Sequence, residues 1–211
     1  MADVLAARGR CALALSGGAT PQPVYAALAG PDLASRIAWN GVDVYFGDER
    51  AVPRDHADSN FRMAMEALLS RVPIPAARIH RMEADRPDLD AAAAAYGDQL
   101  PPALDVVVLG MGADGHTASL FPGSPALAER QRRVVAVEGP KPPRRRLTIT
   151  PPVIAAARHV VVLVTGKEKA AAVARALDDH TPPSEIPAAL ARHAVWFLDR
   201  AAAGRLARPV P

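Results

Sequence analysis

Seven short, largely apolar runs, at 11–15, 42–46, 106–109, 134–137, 147–150, 160–164 and 195–198, punctuate this chain at intervals long enough to hold helices. A strand buried on one face only would alternate apolar with polar residues. Runs without that alternation are strands covered on both faces, which is the state of a parallel sheet whose crossovers are helices. The intervening segments have helical period. Phe61, Ala64, Met65, Leu68, Leu69 and Val72 form one apolar stripe after Ser59, and Ala170, Val173, Ala174 and Leu177 form another within 167–177. Segments 21–28 and 87–100 read as helices too. The expectation is an α/β fold: a Rossmann-like, doubly wound, mostly parallel sheet with helices on both faces, in one domain over 1–211. Half of the residues are hydrophobic, enough for one sizeable core. Pro142-Pro143 and Pro182-Pro183 mark loops. The last strand leads into a short Ala-rich helical turn, and no disordered tail is expected beyond a few terminal residues.

Charge excludes several classes of partner. The net charge is +3, and only Lys141, Lys167 and Lys169 among the 25 basic residues are lysines. The arginines are scattered apart from Arg144-Arg145-Arg146, and aromatics make up 4% of the chain, so the basic stripe with interleaved rings that marks a nucleic-acid binder is missing. No apolar run approaches the roughly 18 residues of a membrane span. The first residues carry Asp3 and Arg8 and lack a signal peptide's apolar stretch. The single Cys11 excludes a disulfide framework and fits a reducing compartment. A cytoplasmic protein is expected, as a monomer or small homo-oligomer.

In open parallel sheets ligands bind at the carboxyl ends of the strands. Four unusual polar segments follow strands here. The first, Ser16-Gly17-Gly18-Ala19-Thr20-Pro21, places Thr20 as an N-cap and Pro21 at the first helical position. Two glycines and a helix N-terminus make a phosphate cradle, or else a tight turn with a cap. It is not a P-loop, since no Gly-Lys-Ser/Thr follows. The second, Gly47-Asp48-Glu49-Arg50, is either the solvated rim of the sheet or a place where Asp48 and Arg50 bind sugar hydroxyls and the reacting carboxyl region. Asp58-Ser59-Asn60 caps the next helix. Asp55-His56-Ala57-Asp58 has no metal-ligand spacing, and no metal is expected.

The third segment contains Gly110, Gly112 and Gly115 in the spacing G-x-G-x-x-G, with Glu138 further on. A dinucleotide site needs a continuous helix after its third glycine. Here Pro122, Gly123 and Pro125 stop any helix after about two turns, since an interior proline costs about 3 kcal/mol or more. The glycines instead scaffold Asp114 and His116. Gly112 and Gly115 allow left-handed or strained backbone, which sets an imidazole on the rim of a cleft as a general base for water. Asp114 either orients that ring or holds a substrate hydroxyl. Backbone N–H groups around Gly112 and the Arg50 guanidinium are the candidate oxyanion donors. In the fourth segment, Thr165-Gly166-Lys167-Glu168-Lys169-Ala170, two lysines stand at a helix start, which disfavours cations unless an anion binds there. Lys169 is placed to reach the first loop, and one arginine of 144–146 to add a second phosphate contact.

Together, LSGGATP (15–21), FGDERAVPRDHADSN (46–60), GMGADGHTASLFPG (110–123), RLTIT (146–150), TGKEKA (165–170) and VWFLDRAAA (195–203) resemble the 6-phosphogluconolactonase family in order along nearly the whole chain. The resemblance implies the fold shared with glucosamine-6-phosphate deaminase, ribose-5-phosphate isomerase and CoA transferase-like proteins. It implies hydrolysis of 6-phospho-D-glucono-1,5-lactone without a cofactor. It assigns His116 to water activation, with Asp48, Arg50, Gly112 and Asp114 around the sugar, and puts the phosphate near Ser16, Gly17, Gly18, Arg146 and Lys169. Phe61 stands where the family often has Tyr, a change expected to touch packing only. The rival readings are a sugar-phosphate deaminase or isomerase on the same fold, and a sugar-phosphate-binding module without turnover.

Overall fold

Five of the expected strands hydrogen-bond side by side in a parallel sheet in the computed structural model, which describes residues 1–206. In chain order the elements are α1 (Ala2–Arg8), β1 (Cys11–Leu15), α2 (Pro21–Leu28), α3 (Pro31–Ala34), β2 (Val42–Phe46), β3 (Asp48–Arg50) and α4 (Asn60–Ala64). There follow α5 (Leu89–Gln99), β4 (Val106–Gly110), β5 (Val134–Glu138), β6 (Arg145–Ile149), α6 (Pro151–Ala156), β7 (His159–Val164), α7 (Ala170–Ala176) and β8 (Val195–Leu198). The α4 helix continues through Met65–Leu69 with π-type hydrogen bonding, so the stripe read from the sequence spans two helical geometries.

The sheet order is β2-β1-β4-β7-β8. The chain steps from β1 to β2 on one side and returns to β4 on the other, so the direction of winding reverses between β1 and β4. A crevice opens outside the carboxyl ends of two strands at such a reversal. Ser16 leaves β1 there and Gly110 ends β4 there. Leu13, Leu15, Val44, Phe46, Val107 and Leu109 are buried. Each such side chain contributes about 1.5–3 kcal/mol on leaving water, which is why the strands lack a polar face.

The sequence-based layout needs two corrections. The runs at 134–137 and 147–150 do not join the parallel sheet. As β5 and β6 they pair antiparallel with each other, and β6 pairs antiparallel with β3, in a second sheet of order β3-β6-β5. Apolar content marks burial but does not reveal the partner, and α5 covers this small sheet as helices cover the large one. The first residues, read only as lacking a leader, form α1, closed by Gly9 at φ 67° and anchored by buried Leu5. The short Ala-rich turn after β8 is present at 200–205. The tail expected beyond it falls partly on 207–211, outside the described residues.

Gly47 alone separates β2 from β3. Its N–H donates to Leu15 O and its carbonyl accepts from Ile149 N, both at 2.9 Å, so one residue hinges the two sheets together. The small sheet therefore stands over the carboxyl ends of the large one and forms a second wall of the crevice.

Candidate active site

Nine of the ten residues singled out in the sequence line one cavity of about 410 Å³: Ser16, Gly17, Gly18, Asp48, Arg50, Gly112, His116, Arg146 and Lys169. Asp114 stands behind the His116 ring, on the wall shared with a larger neighbouring hollow. That hollow carries Arg132 and Arg144 beside Glu138 among largely apolar residues, and it lacks the Ser16–Gly18 loop, Asp48, Arg50 and Lys169. The smaller cavity is the one that gathers the residues singled out in the sequence.

His116 and Asp114 form a pair within the β4–β5 connection. Nδ1 of His116 lies 2.5 Å from Asp114 Oδ1, and the His116 N–H donates to the same oxygen at 3.2 Å. Burial by itself would raise the Asp114 carboxyl. The hydrogen bond and charge of the ring and the backbone N–H more than offset that, and hold it down at about 2. An ionised carboxylate only accepts hydrogen bonds. Nδ1 therefore carries a proton, and in the neutral ring Nε2 holds the free lone pair. No protein group among the described residues hydrogen-bonds Nε2. Phe121 backs the ring, with centroids 4.8 Å apart.

The glycines around this pair have different tasks. Gly115 has φ +84°, as expected of a residue in the left-handed region. Gly112 does not have a positive φ. Its hydrogen is needed because a Cβ there would sit 2.1 Å from His116 Nδ1 and 2.5 Å from Asp114 Oδ1. Of the N–H groups around Gly112, its own is not free. Its N–H donates to His116 O at 2.9 Å, closing the loop on itself. Ala118, also on the cavity wall, has φ 47°, a strained conformation for a residue with a Cβ.

The second wall comes from β3 and β6. Strand alternation turns Asp48 and Arg50 to the cavity and Glu49 away from it. Asp48 is buried, with Oδ1 accepting from Asn60 Nδ2 at 3.1 Å and Oδ2 from Ser119 Oγ at 2.6 Å. Arg50 donates to Asp58 O at 2.6 Å, and its Nε is buried without a partner. Arg146 is the cross-strand neighbour of Arg50. Two guanidinium groups directly opposite in a ladder repel each other, and a bound anion relieves this. Burial and the Arg50 charge lower the Arg146 pKa, while Asp48 and Asp58 act the other way. Arg146 also lies over the Phe121 ring, 5.5 Å from its centroid. Arg144 and Arg145 open onto other hollows, so Arg146 is the arginine of that run that faces the site.

The first loop supplies backbone. Gly18 has φ +100°, and a Cβ on Gly17 would strike the Asn60 side chain at 1.8 Å. Among the described residues, the N–H groups of Gly17 and Gly18 have no protein acceptor. Thr20 precedes α2 without a side-chain capping bond, contrary to expectation. Its hydroxyl instead meets that of Thr165 at 3.0 Å, which ties the first loop to the fourth, where Lys169 stands. Ser59 does cap α4, accepting from Arg62 N at 3.2 Å.

Glu49 and Asn60 were not among the candidate site residues; Asn60 entered the sequence reading only as part of the Asp58-Ser59-Asn60 cap. Glu49 is buried, and its carboxylate accepts from Arg50 N, Asn60 N, Phe61 N and Ser59 Oγ at 2.8–3.1 Å, stapling β3 to the start of α4. Burial raises its carboxyl, and the three backbone donors oppose that. The signal for Glu49 was the alternation of the strand itself. Asn60 had none, since its partners Asp48 and Gly17 meet it only in three dimensions. Phe61 packs on Phe46, as expected of a packing residue.

Residues 1–197 match the family model described as glucosamine-6-phosphate isomerases/6-phosphogluconolactonase. The 6-phosphogluconolactonase of Streptomyces coelicolor is 41% identical, over 98% of this chain and 86% of its own length. The solved 6-phosphogluconolactonase of Trypanosoma brucei superposes with a TM-score of 0.85 at 33% identity, covering 97% of this chain and 91% of that one. A monomeric glucosamine-6-phosphate deaminase superposes equally well, at 0.85, over 96% of this chain and 91% of its own, with 21% identity; that likeness extends to the fold alone.

Proposed function

The chain belongs to the glucosamine-6-phosphate isomerase/6-phosphogluconolactonase family, and on that basis we propose that it is a lactonase acting through the His116–Asp114 pair. It hydrolyses 6-phospho-D-glucono-1,5-lactone to 6-phospho-D-gluconate, the second step of the oxidative pentose phosphate pathway. The observation that carries the mechanism is the 2.5 Å contact between His116 Nδ1 and Asp114 Oδ1, from which the tautomer follows. Asp114 holds the proton on Nδ1, which leaves Nε2 as a base facing a cavity that ends in unpaired backbone N–H groups and cations.

His116 Nε2 takes a proton from water as the water oxygen attacks the lactone carbonyl. The resulting imidazolium is stabilised by Asp114. As the ring C–O bond breaks, the proton passes to the departing ring oxygen, and a carboxylic acid forms that ionises at neutral pH. General-base help of this kind contributes a factor of about 10²–10⁴. Arg50, whose side chain lines the cavity, is the donor for the developing oxyanion, a contribution of about 3–4 kcal/mol. Ser16, Gly17, Gly18, Arg146 and Lys169 take the phosphate, and Asp48 takes a sugar hydroxyl. Holding the phosphate fixes the ring in a reactive position. No step calls for a cofactor or a metal.

We read the protein as a monomer or small homo-oligomer. Cys11 is free and buried, in keeping with a cytoplasmic protein, and no described helix is long and apolar enough to cross a membrane. We read the chain as a single domain.

The test is direct hydrolysis of freshly prepared 6-phosphogluconolactone, with unphosphorylated gluconolactone as control. The wild-type protein is expected to prefer the phosphorylated lactone. His116→Ala is expected to lower kcat by about 10²–10⁴ with KM little changed. Full turnover by His116→Ala at neutral pH would sink the base assignment.

A further inference from the structure

Tyr25 lies on the second turn of α2, is 1% exposed, and is absent from the cavity lining. Its hydroxyl accepts from Ser16 N at 2.9 Å and donates to Ser16 O at 2.9 Å. One side chain thus holds both polar backbone groups of the residue where β1 gives way to the glycine loop. The two residues are nine positions apart, and the segment between them is the phosphate cradle itself: Gly17, Gly18 and the start of α2. The strand end and the helix are thereby joined through a side chain as well as through the chain.

The consequence concerns which N–H groups are available. Ser16 N–H and C=O are engaged by the phenol, and the N–H groups of Gly17 and Gly18 are left without a protein acceptor among the described residues. A two-glycine loop would otherwise sample many conformations, and an anion would have to order it on binding. Burial raises the phenol's pKa far above neutrality, so the hydroxyl keeps the proton it donates. Tyr96 shows that the arrangement is not the generic packing of a buried ring. Its hydroxyl clamps a different strand end, accepting from Phe46 N at 2.8 Å and donating to His80 O at 3.1 Å, and the chain beyond leads to Asp48 and Arg50 rather than to the cradle.

We propose that Tyr25 is a positioning residue for the substrate phosphate, acting through Ser16 to pre-form the Gly17–Gly18 cradle. The inference rests on the lactonase reading above. It is tested by comparing Tyr25→Phe and Tyr96→Phe with wild type in three measurements: kinetics on 6-phosphogluconolactone, kinetics on gluconolactone, and competitive inhibition by inorganic phosphate.

Tyr25→Phe is expected to raise KM for the phosphorylated lactone and Ki for phosphate together, each about five- to tenfold, the loss of a clamped hydrogen-bond pair. Its kcat, and its kcat/KM on gluconolactone, are expected to stay within about twofold of wild type. Tyr96→Phe removes an equally buried hydroxyl and is expected to show no phosphate-selective loss. Equal changes on both lactones for Tyr25→Phe, no change at all, or the same selective loss in Tyr96→Phe would overturn the proposal. If Tyr25→Phe does not fold, amide exchange in the wild-type protein decides. Ser16 N–H is expected to be protected without ligand, and Gly17 and Gly18 only with inorganic phosphate; an unprotected Ser16 N–H defeats the clamp. A wild-type protein without lactone hydrolysis instead defeats the reading beneath it, whatever the tyrosine variants do.

Discussion

In the loop after β1, a Cβ on Gly17 would lie 1.8 Å from Asn60 Oδ1, and Gly18 has φ +100°. In the loop after β4, a Cβ on Gly112 would lie 2.1 Å from His116 Nδ1, and Gly115 has φ +84°. Each loop thus uses one glycine for close approach and another for a left-handed turn, and each leaves the carboxyl end of a strand next to the reversal in the sheet. They differ in what happens to their N–H groups. The second loop closes on itself, with Gly112 N donating to His116 O and Gly115 N to Gly112 O. It presents side chains. The first keeps the N–H groups of Gly17 and Gly18 open and presents backbone. Similar glycine usage therefore displays side chains in one place and open backbone N–H groups in the other, and hydrogen-bond accounting separates the two.

The largest expected effect lies in the second loop. Asp114→Asn puts a neutral amide beside Nδ1 and removes the reason for the ring proton to stay there. We expect kcat to fall by about 10²–10⁴ while binding changes little, as measured by steady-state kinetics. Because the wild-type carboxyl sits at about 2, any acid limb of the wild-type rate profile above about pH 4 does not belong to Asp114. The sign for stability is the same as for any depressed carboxyl. The pair adds stability that is complete above the ordinary value of 3.8 and fades as pH falls toward about 2. An unchanged kcat in Asp114→Asn would remove the distinction drawn between the loops.

Next come the two close-approach glycines as a pair. Gly112→Ala displaces the imidazole without straining the backbone, so kcat is expected to drop about 100-fold with the melting temperature nearly unchanged. Gly17→Ala pushes on buried Asn60, which holds Asp48, and is expected to lose about 1–3 kcal/mol of stability and to raise KM. Calorimetry together with kinetics on both variants checks this. Identical profiles would mean that the two loops are not functionally distinct.

The smallest effect is expected at the far end of the cavity. Lys169→Ala removes a half-exposed cation and should raise KM about tenfold with kcat unchanged, the pattern of lost uniform binding. A drop in kcat would place Lys169 with the reacting carbonyl rather than with the phosphate.

The sequence by itself determined the parallel sheet and the four loops at its carboxyl ends, because burial on both faces and helical period are local patterns. It also singled out His116 and Asp114, two apart in a glycine turn, and left open whether the carboxylate meets the ring, as it does here, or a substrate hydroxyl. Pairing of β5 and β6 with β3 was decided by tertiary structure, as an apolar run specifies burial and leaves its neighbour open. So was the choice of Arg146 over Arg144 and Arg145, which required the register that sets it opposite Arg50. The roles of Asn60, Glu49 and Tyr25 likewise depend on partners remote in the fold. A buried polar side chain is explained only by the groups that satisfy it, and those groups are chosen when the elements pack.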